Sequence, residues 1–228
     1  VEMLPSAAEK SGEEGISGDD IIEVPCDENG DPVAFVFKTI ADPFVGKLSY
    51  VKVISGKLSP DTELVNMTSG QPEKIGKLLF IRGKKQEEIK QIKAGDICAI
   101  SKLNANTGDT LCSPKKPVSL TKPEFPLPCY FMAIKPVGKG DESKISQGIT
   151  RLLEEDPTLS FVVNNETHEQ ILGGLGEQHL DVTVAKLKSK FGVDVTLEPP
   201  TVAYRETIRK KVKVQGKHKK QSGGHGQY

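Results

Sequence analysis

The chain has 228 residues, 36% hydrophobic and 27% charged, with 31 basic and 31 acidic side chains and so no formal net charge. That length accommodates one large or two small domains with ordinary cores, and the composition is that of a soluble globular protein. There is no Trp, no apolar run near the roughly 18 residues of a membrane span and no basic segment leading into an apolar one, which argues against a membrane partner and a secretion signal and for a cytoplasmic protein.

The zero net charge conceals an asymmetry. Residues 1–32 carry ten acidic side chains against Lys10, and residues 199–228 carry eight Lys or Arg against Glu206. A basic end of this kind suits nucleic acid, and equally a solvated surface. Cys26, Cys98, Cys112 and Cys129 are widely spaced with no C-x-x-C pair, so neither a zinc site nor a disulfide framework is indicated. Buried, reduced thiols are the expectation.

In chain order, residues 6–32 combine Ser, Gly, Glu and Asp with few apolar positions, so residues 1–32 read as an acidic linker. From Val33 to about Leu120 the pattern is of short strands between turns. Val33–Phe37 leads to a turn at Asp42-Pro43, and Leu48–Ile54 alternates with period two. Strands follow at Glu63–Asn66, Lys74–Ile81, Asp96–Leu103 and Asp109–Cys112, with Gly70, Gly83, Gly95 and Gly108 between them. Turn signals at this spacing without a helical stripe predict an antiparallel barrel or sandwich over residues 33–121.

Pro114, Pro117, Pro123, Pro126 and Pro128 then stiffen the chain and mark a boundary. Over residues 122–198 the period changes. Cys129–Lys135 is strand-like, and Asp141 is placed to cap a helix whose Ile145, Ile149, Leu152 and Leu153 share one face and which must end before Pro157. Strands at Leu159–Val163 and Gln170–Leu172 flank a polar turn. A second helix opens near Gly176 with Leu180, Val184, Leu187 and Phe191 on one face, and Gly192 closes it before a strand at Val193–Leu197. Strand, helix, strand, strand, helix, strand is the order of the ferredoxin-like α+β plan. After Pro199-Pro200, Val202–Arg209 and Lys211–Val214 look like strands of a further domain, residues 199–228, whose remainder would lie beyond the glycine-dense Gln221–Tyr228.

Six blocks in one order carry a family resemblance: Asp42-Pro43-Phe44-Val45-Gly46-Lys47-Leu48, Ala94-Gly95-Asp96-Ile97, Thr107-Gly108-Asp109-Thr110-Leu111-Cys112, Gly174-Leu175-Gly176-Glu177-Gln178-His179-Leu180-Asp181, Thr201-Val202-Ala203-Tyr204-Arg205-Glu206-Thr207-Ile208, and Gln221–Tyr228. Together they resemble the middle of bacterial elongation factor G, a ribosomal translocase GTPase. The likeness covers nearly the whole chain, and Glu2-Met3-Leu4-Pro5-Ser6 resembles the end of that family's G domain. The resemblance implies a fragment holding domains II, III and the start of IV. It selects a closed barrel for domain II, and its function is docking on the ribosome and coupling the G domain to domain IV during movement of tRNA and mRNA. The ribosome, through its small-subunit RNA and proteins, and the chain's own G domain and domain IV are the implied partners.

An autonomous GTPase needs G-x-x-x-x-G-K-[ST] to cradle phosphates and hold Mg²⁺. Gly-Lys occurs six times here and is never followed by Ser or Thr. The expectation is therefore a non-enzymatic chain without cofactor, with GTP and Mg²⁺ in a G domain outside it. His179 stands between Glu177 and Asp181, but residues two apart on a helix do not converge, so a surface or interface histidine is expected and no metal site.

Arg82, Lys84 and Lys85 surround Gly83 in a turn and are candidates for ribosomal RNA phosphate contact, with a solvated hairpin tip as the alternative. Lys217, Lys219 and Lys220 form a second cationic candidate, and no interleaved aromatics point to base stacking there. By resemblance, Gly173, Gly174, Leu175, Gly176, Glu177, Gln178 and His179, with the helix from Asp141 to Glu155, face the G domain, where fusidic acid also binds in the family. The family usually has Leu at the Gln178 position and His-Ala-Asn around Gly83. These departures leave a paralogue or a ribosomal protection GTPase as one rival, and an RNA-binding module without GTPase activity as another.

Overall fold

The computed structural model describes residues 4–10, 12–42, 46–83, 85–138 and 140–216. The turn expected at Pro43, Lys84, and the glycine-dense end therefore lie outside the described residues.

In chain order the first elements are β1 (Glu13–Ser17), β2 (Asp20–Val24), β3 (Val33–Asp42), β4 (Gly46–Ser55), β5 (Lys57–Leu58) and β6 (Glu63–Asn66). They are followed by β7 (Pro72–Lys74), β8 (Leu78–Arg82), β9 (Lys85–Ile89), β10 (Ile92–Lys93), β11 (Ile97–Ser101), β12 (Thr110–Cys112) and β13 (Ser119–Leu120). The second half holds β14 (Tyr130–Pro136), α1 (Glu142–Glu155), β15 (Ser160–Val163), β16 (Gln170–Gly174), α2 (Glu177–Phe191) and β17 (Val195–Glu198).

Eight strands form one antiparallel sheet in the order β7-β6-β12-β3-β4-β11-β8-β9, and β5 pairs with β10. Ala34, Val36, Val51, Val53, Leu58, Leu64, Leu78, Ile92, Ile100 and Leu111 point into a common interior, giving a β-barrel built on inward-facing alternate positions. The register shift between Val36 and Lys38 is a bulge that places Phe37 outside, edge-on to Tyr50 at 6.3 Å.

Three expectations change here. The strand read over Lys74–Ile81 is two strands, interrupted at Ile75, Gly76 and Lys77, where buried Ile75 turns into the core. The linker read over residues 6–32 carries the β1–β2 hairpin, which joins β13 in a three-stranded sheet. Its few apolar side chains suffice because the barrel supplies their partner: Val24 packs with Val33, Ile54, Cys112, Val118 and Leu120. Of the thiols, Cys98 and Cys112 are buried, Cys26 is half-buried and Cys129 is exposed; all four are free. Burial pushes the Cys98 thiol up to about 12, so it stays protonated and inert.

Residues 130–198 form a second core under a four-stranded antiparallel sheet ordered β15-β16-β14-β17, the ferredoxin-like arrangement. Ile145, Ile149 and Leu152 of α1 and Leu180 and Leu187 of α2 are essentially inaccessible, with Leu153, Val184 and Phe191 packed around them. Asp141 is the N-cap residue of α1, but its carboxylate receives the Lys144 ammonium at 2.8 Å and makes no capping bond. α2 ends at Gly192, whose φ of 67° is the left-handed conformation that favours glycine at a helix stop.

The strands expected at Val202–Arg209 and Lys211–Val214 do not form among the described residues. The segment is exposed and without regular secondary structure, and it is tied back near its start, where Glu169 accepts from the Thr201 amide and hydroxyl and Arg205 pairs with Glu166. Alternating apolar residues have no sheet here to bury them. Among the described residues, no helix is long and apolar enough to cross a membrane.

Candidate functional site

The turn between β16 and α2 depends on close backbone approach. Gly173 lies opposite Phe131 in the sheet, and a Cβ there would stand 2.7 Å from the Phe131 ring and 2.3 Å from Ser160 Oγ. A Cβ on Gly174 would meet Leu180 at 2.8 Å and His179 Nδ1 at 3.0 Å. Glycine at both positions lets the Phe131 ring close over one side of β16 while the imidazole and Leu180 press on the other.

Four hydrogen bonds tie the main chain of the turn to its surroundings. Cys129 N–H donates to Gly174 O at 2.9 Å and Leu180 N–H to Gly176 O at 3.2 Å. The Cys129 thiol reaches Leu175 O at 3.2 Å. Gly176, the N-cap of α2, has no side chain to offer, and His179 Nδ1 takes over by accepting from Leu175 N–H at 3.1 Å. This is a variant of the capping-box reach-back, made by an imidazole instead of a carboxylate and to the residue before the N-cap.

A ring nitrogen that accepts from an amide carries no proton, so the proton sits on Nε2, which donates to Asp156 Oδ2 at 3.0 Å. Asp156 ends α1, and its other oxygen accepts from the Thr158 amide at 2.9 Å and hydroxyl at 2.6 Å. Burial pushes the Asp156 carboxyl upward, but the Thr158 and His179 hydrogen bonds outweigh it and hold the group below the usual aspartate range. His179 thus joins two helix termini. Its partner lies 23 residues upstream, beyond any spacing rule; the only sequence signal was an Asp-Pro-Thr helix stop. Outside this network the turn offers exposed Leu175, Glu177 and Gln178 to a partner, with Glu177 in the first turn where the helix dipole favours an anion.

The second candidate is the tip of the β8–β9 hairpin. Arg82 lies opposite Lys85 and forms an ion pair with Glu87, its guanidinium 5.9 Å from the Phe80 ring centre. Lys77 pairs with Glu88 at 2.9 Å. Arg82 and Lys85 are exposed, but β9 brings two carboxylates to the same hairpin, a compensation the Arg-Gly-Lys-Lys stretch alone did not reveal. Lys84 lies outside the described residues, as do Lys217, Lys219 and Lys220 of the third candidate. Arg209, Lys210, Lys211 and Lys213, which precede that cluster, are exposed.

The architecture is thus that of a two-part protein, a β-barrel followed by a ferredoxin-like α+β module. Three family models match in succession: elongation factor G domain 2 over residues 21–114, domain III over 125–199 and domain IV over 200–228. Elongation factor G of Thermotoga maritima is 42% identical over 231 residues, covering 100% of this chain and 33% of the relative. That of Fervidobacterium nodosum is 45% identical over 208 residues, covering 91% and 30%. A crystal structure of a protein from Thermus thermophilus superposes with a TM-score of 0.67 at 32% identity, over 76% of this chain and 26% of that one. The chain belongs to the elongation factor G family. It spans about a third of the length of the curated relatives it matches.

Proposed function

We propose that the chain is the docking and coupling part of a ribosomal elongation GTPase. The barrel seats the protein on the small ribosomal subunit, with Arg82, Lys84 and Lys85 toward RNA phosphates. The ferredoxin-like domain faces the G domain through Gly173–His179 and passes the consequence of GTP hydrolysis to domain IV, whose beginning carries Lys217, Lys219 and Lys220. GTP and Mg²⁺ belong to the G domain, and this chain alone neither binds nor hydrolyses the nucleotide.

The observation that supports this reading best is the Leu175 turn. Its backbone is bonded internally at Gly174 O, at Leu175 N–H and C=O and at Gly176 O, while the side chains of Leu175, Glu177 and Gln178 are exposed to meet a partner. A preorganised surface of that kind transmits displacement without first ordering itself.

The test uses the full-length protein. Leu175→Arg should lower ribosome-stimulated GTP turnover by about tenfold or more, the effect of placing a charge in a packed interface, with nucleotide affinity unchanged. Unaltered turnover would exclude the turn as the coupling surface. Saturable GTP binding to the 228-residue chain alone, measured by calorimetry, would overturn the division of labour.

A further inference from the structure

The last two residues at the C-terminal end of α1 reach in opposite directions. Asp156 holds His179 and, through it, the Leu175 amide. Glu155, immediately before it, reaches the barrel. Its Oε2 accepts from Ala41 N–H at 3.3 Å and from Lys190 Nζ at 2.7 Å, and its Oε1 accepts from Lys186 Nζ at 3.2 Å. Lys190 also donates to Ala41 O at 3.5 Å.

The site on the barrel is an open strand edge. β12 pairs with β3 at Val33, Ala34 and Phe35, so by Ala41 the strand has β4 on one side and, among the described residues, no strand on the other. Ala41 lies opposite Lys47, and its N–H and C=O both turn away from β4, as they do at a non-hydrogen-bonded pair of an antiparallel ladder. Ala41 is nevertheless buried, 7% exposed. A buried edge peptide requires both an acceptor and a donor. Glu155 supplies the first and Lys190 the second, so the helices stand in for the missing strand.

We infer that Glu155 and Asp156 form one positioning relay, linking the β3 edge of the barrel to the Leu175 turn through the rigid end of α1. The inference rests on the reading of that turn as the coupling surface. Consecutive residues on one helix end cannot move independently. A shift of the barrel edge that drags Glu155 therefore displaces Asp156, and with it the imidazole that fixes the Leu175 amide. Lys186 and Lys190 lie on α2 as well, so α2 is gripped at both of its ends: at His179 by Asp156 and at its last turn by Glu155. The relay carries position and transfers no proton.

Both ends of the relay are backbone amides, which makes coupling measurable. Amide hydrogen exchange, read by NMR on the 228-residue chain, compares wild type with Glu155→Gln, Asp156→Asn and the double variant. Asp156→Asn turns an acceptor toward the Nε2 proton of His179 into an amide that can donate, which unseats the imidazole without changing shape. Each single variant should raise exchange at both Ala41 and Leu175, by about tenfold at the near end as a charge-assisted bond is lost and several-fold at the far end. The double variant should fall short of the product of the two.

Lys190→Met, which keeps the aliphatic stem and leaves α1 untouched, should likewise raise exchange at Leu175. Unchanged protection at Leu172 and Leu187 serves as the control for folding. If Glu155→Gln affects only Ala41, Asp156→Asn affects only Leu175 and their effects multiply, the two bonds are independent and the relay does not exist. Because this measurement involves neither ribosome nor nucleotide, a relay that passes it while Glu155→Gln leaves ribosome-stimulated turnover intact would refute the functional reading and keep the relay.

Discussion

The Leu175 turn and the Arg82 hairpin both present polar side chains at a chain reversal, yet opposite means hold them. At the Leu175 turn, buried glycines admit a phenylalanine ring and an imidazole, and hydrogen bonds hold Gly174 O, both main-chain groups of Leu175 and Gly176 O. At the hairpin, a two-stranded extension of the barrel projects beyond its core and carries exposed ion pairs between Arg82 and Glu87 and between Lys77 and Glu88. A surface fixed by packing keeps its shape whatever the salt concentration. A surface held by exposed charges offers attraction that salt can screen, and its ion pairs contribute little to stability.

The largest expected effect tests the packing under the turn. Leu187, wholly buried beneath α2, should lose about 2–5 kcal/mol on Leu187→Ala in denaturant unfolding, as large-to-small core changes do. Lys188→Ala, on the exposed side, should stay within about 0.5 kcal/mol. Equal values would mean that the turn rests on a misassigned helix face. Lys186 is not equivalent to Lys188, despite their symmetric positions about Leu187 in the sequence, because it bonds Glu155.

Next in size, Gly173→Ala should destabilise by about 1–3 kcal/mol through overpacking, since neither Ser160 nor the Phe131 ring has room for the added carbon. His179→Ala should cost about 1–2 kcal/mol by removing the reach-back cap, with His179→Gln recovering part of it because an amide oxygen can accept from Leu175 N–H. Neutral unfolding midpoints for both variants would place the turn in the same category as the hairpin.

Acid should separate the two regions further. Glu155 and Asp156 are both held below their ordinary values: burial raises each, and hydrogen bonds from Lys190, Lys186 and Ala41 to Glu155, and from Thr158 and His179 to Asp156, more than reverse it. A carboxylate with a depressed folded pKa contributes stability that is present above its unfolded pKa, about 4 for these residue types, and lost as pH falls through the folded value. Stability in denaturant unfolding should therefore fall as pH drops below about 4, and Glu155→Gln and Asp156→Asn should each lessen that fall.

The smallest effect on stability belongs to the hairpin. Arg82→Ala should change the unfolding free energy by no more than about 0.5 kcal/mol. In the full-length protein, neutralising Arg82, Lys84 and Lys85 together should weaken ribosome association and flatten its logarithmic salt dependence by up to about 0.9 for each phosphate that is no longer neutralised, or less where Glu87 already compensates Arg82. An unchanged salt slope would reduce the loop to a solvated tip.

Sequence by itself determined the parts with short-range logic. Period-two alternation located the barrel strand β4 and turn signals bounded β3 and β6, the spacing of Ile145, Ile149 and Leu152 and of Leu180 and Leu187 located the buried faces of both helices, and Pro157 and Gly192 marked their ends. These features depend on neighbours within one or two turns, so they can be read locally. The β1–β2 hairpin could not be read that way, because its apolar residues are too few until the barrel completes their core. Nor could the absence of strands among the described residues after Pro200, where residues of the right pattern lack a sheet to join. The decisive bonds of the candidate site are long-range as well: His179 to Asp156 across 23 residues and Glu155 to Ala41 across 114 residues. Partners that far apart leave no periodic trace, and only the tertiary fold, by burying one polar group and demanding another, decides which residues meet.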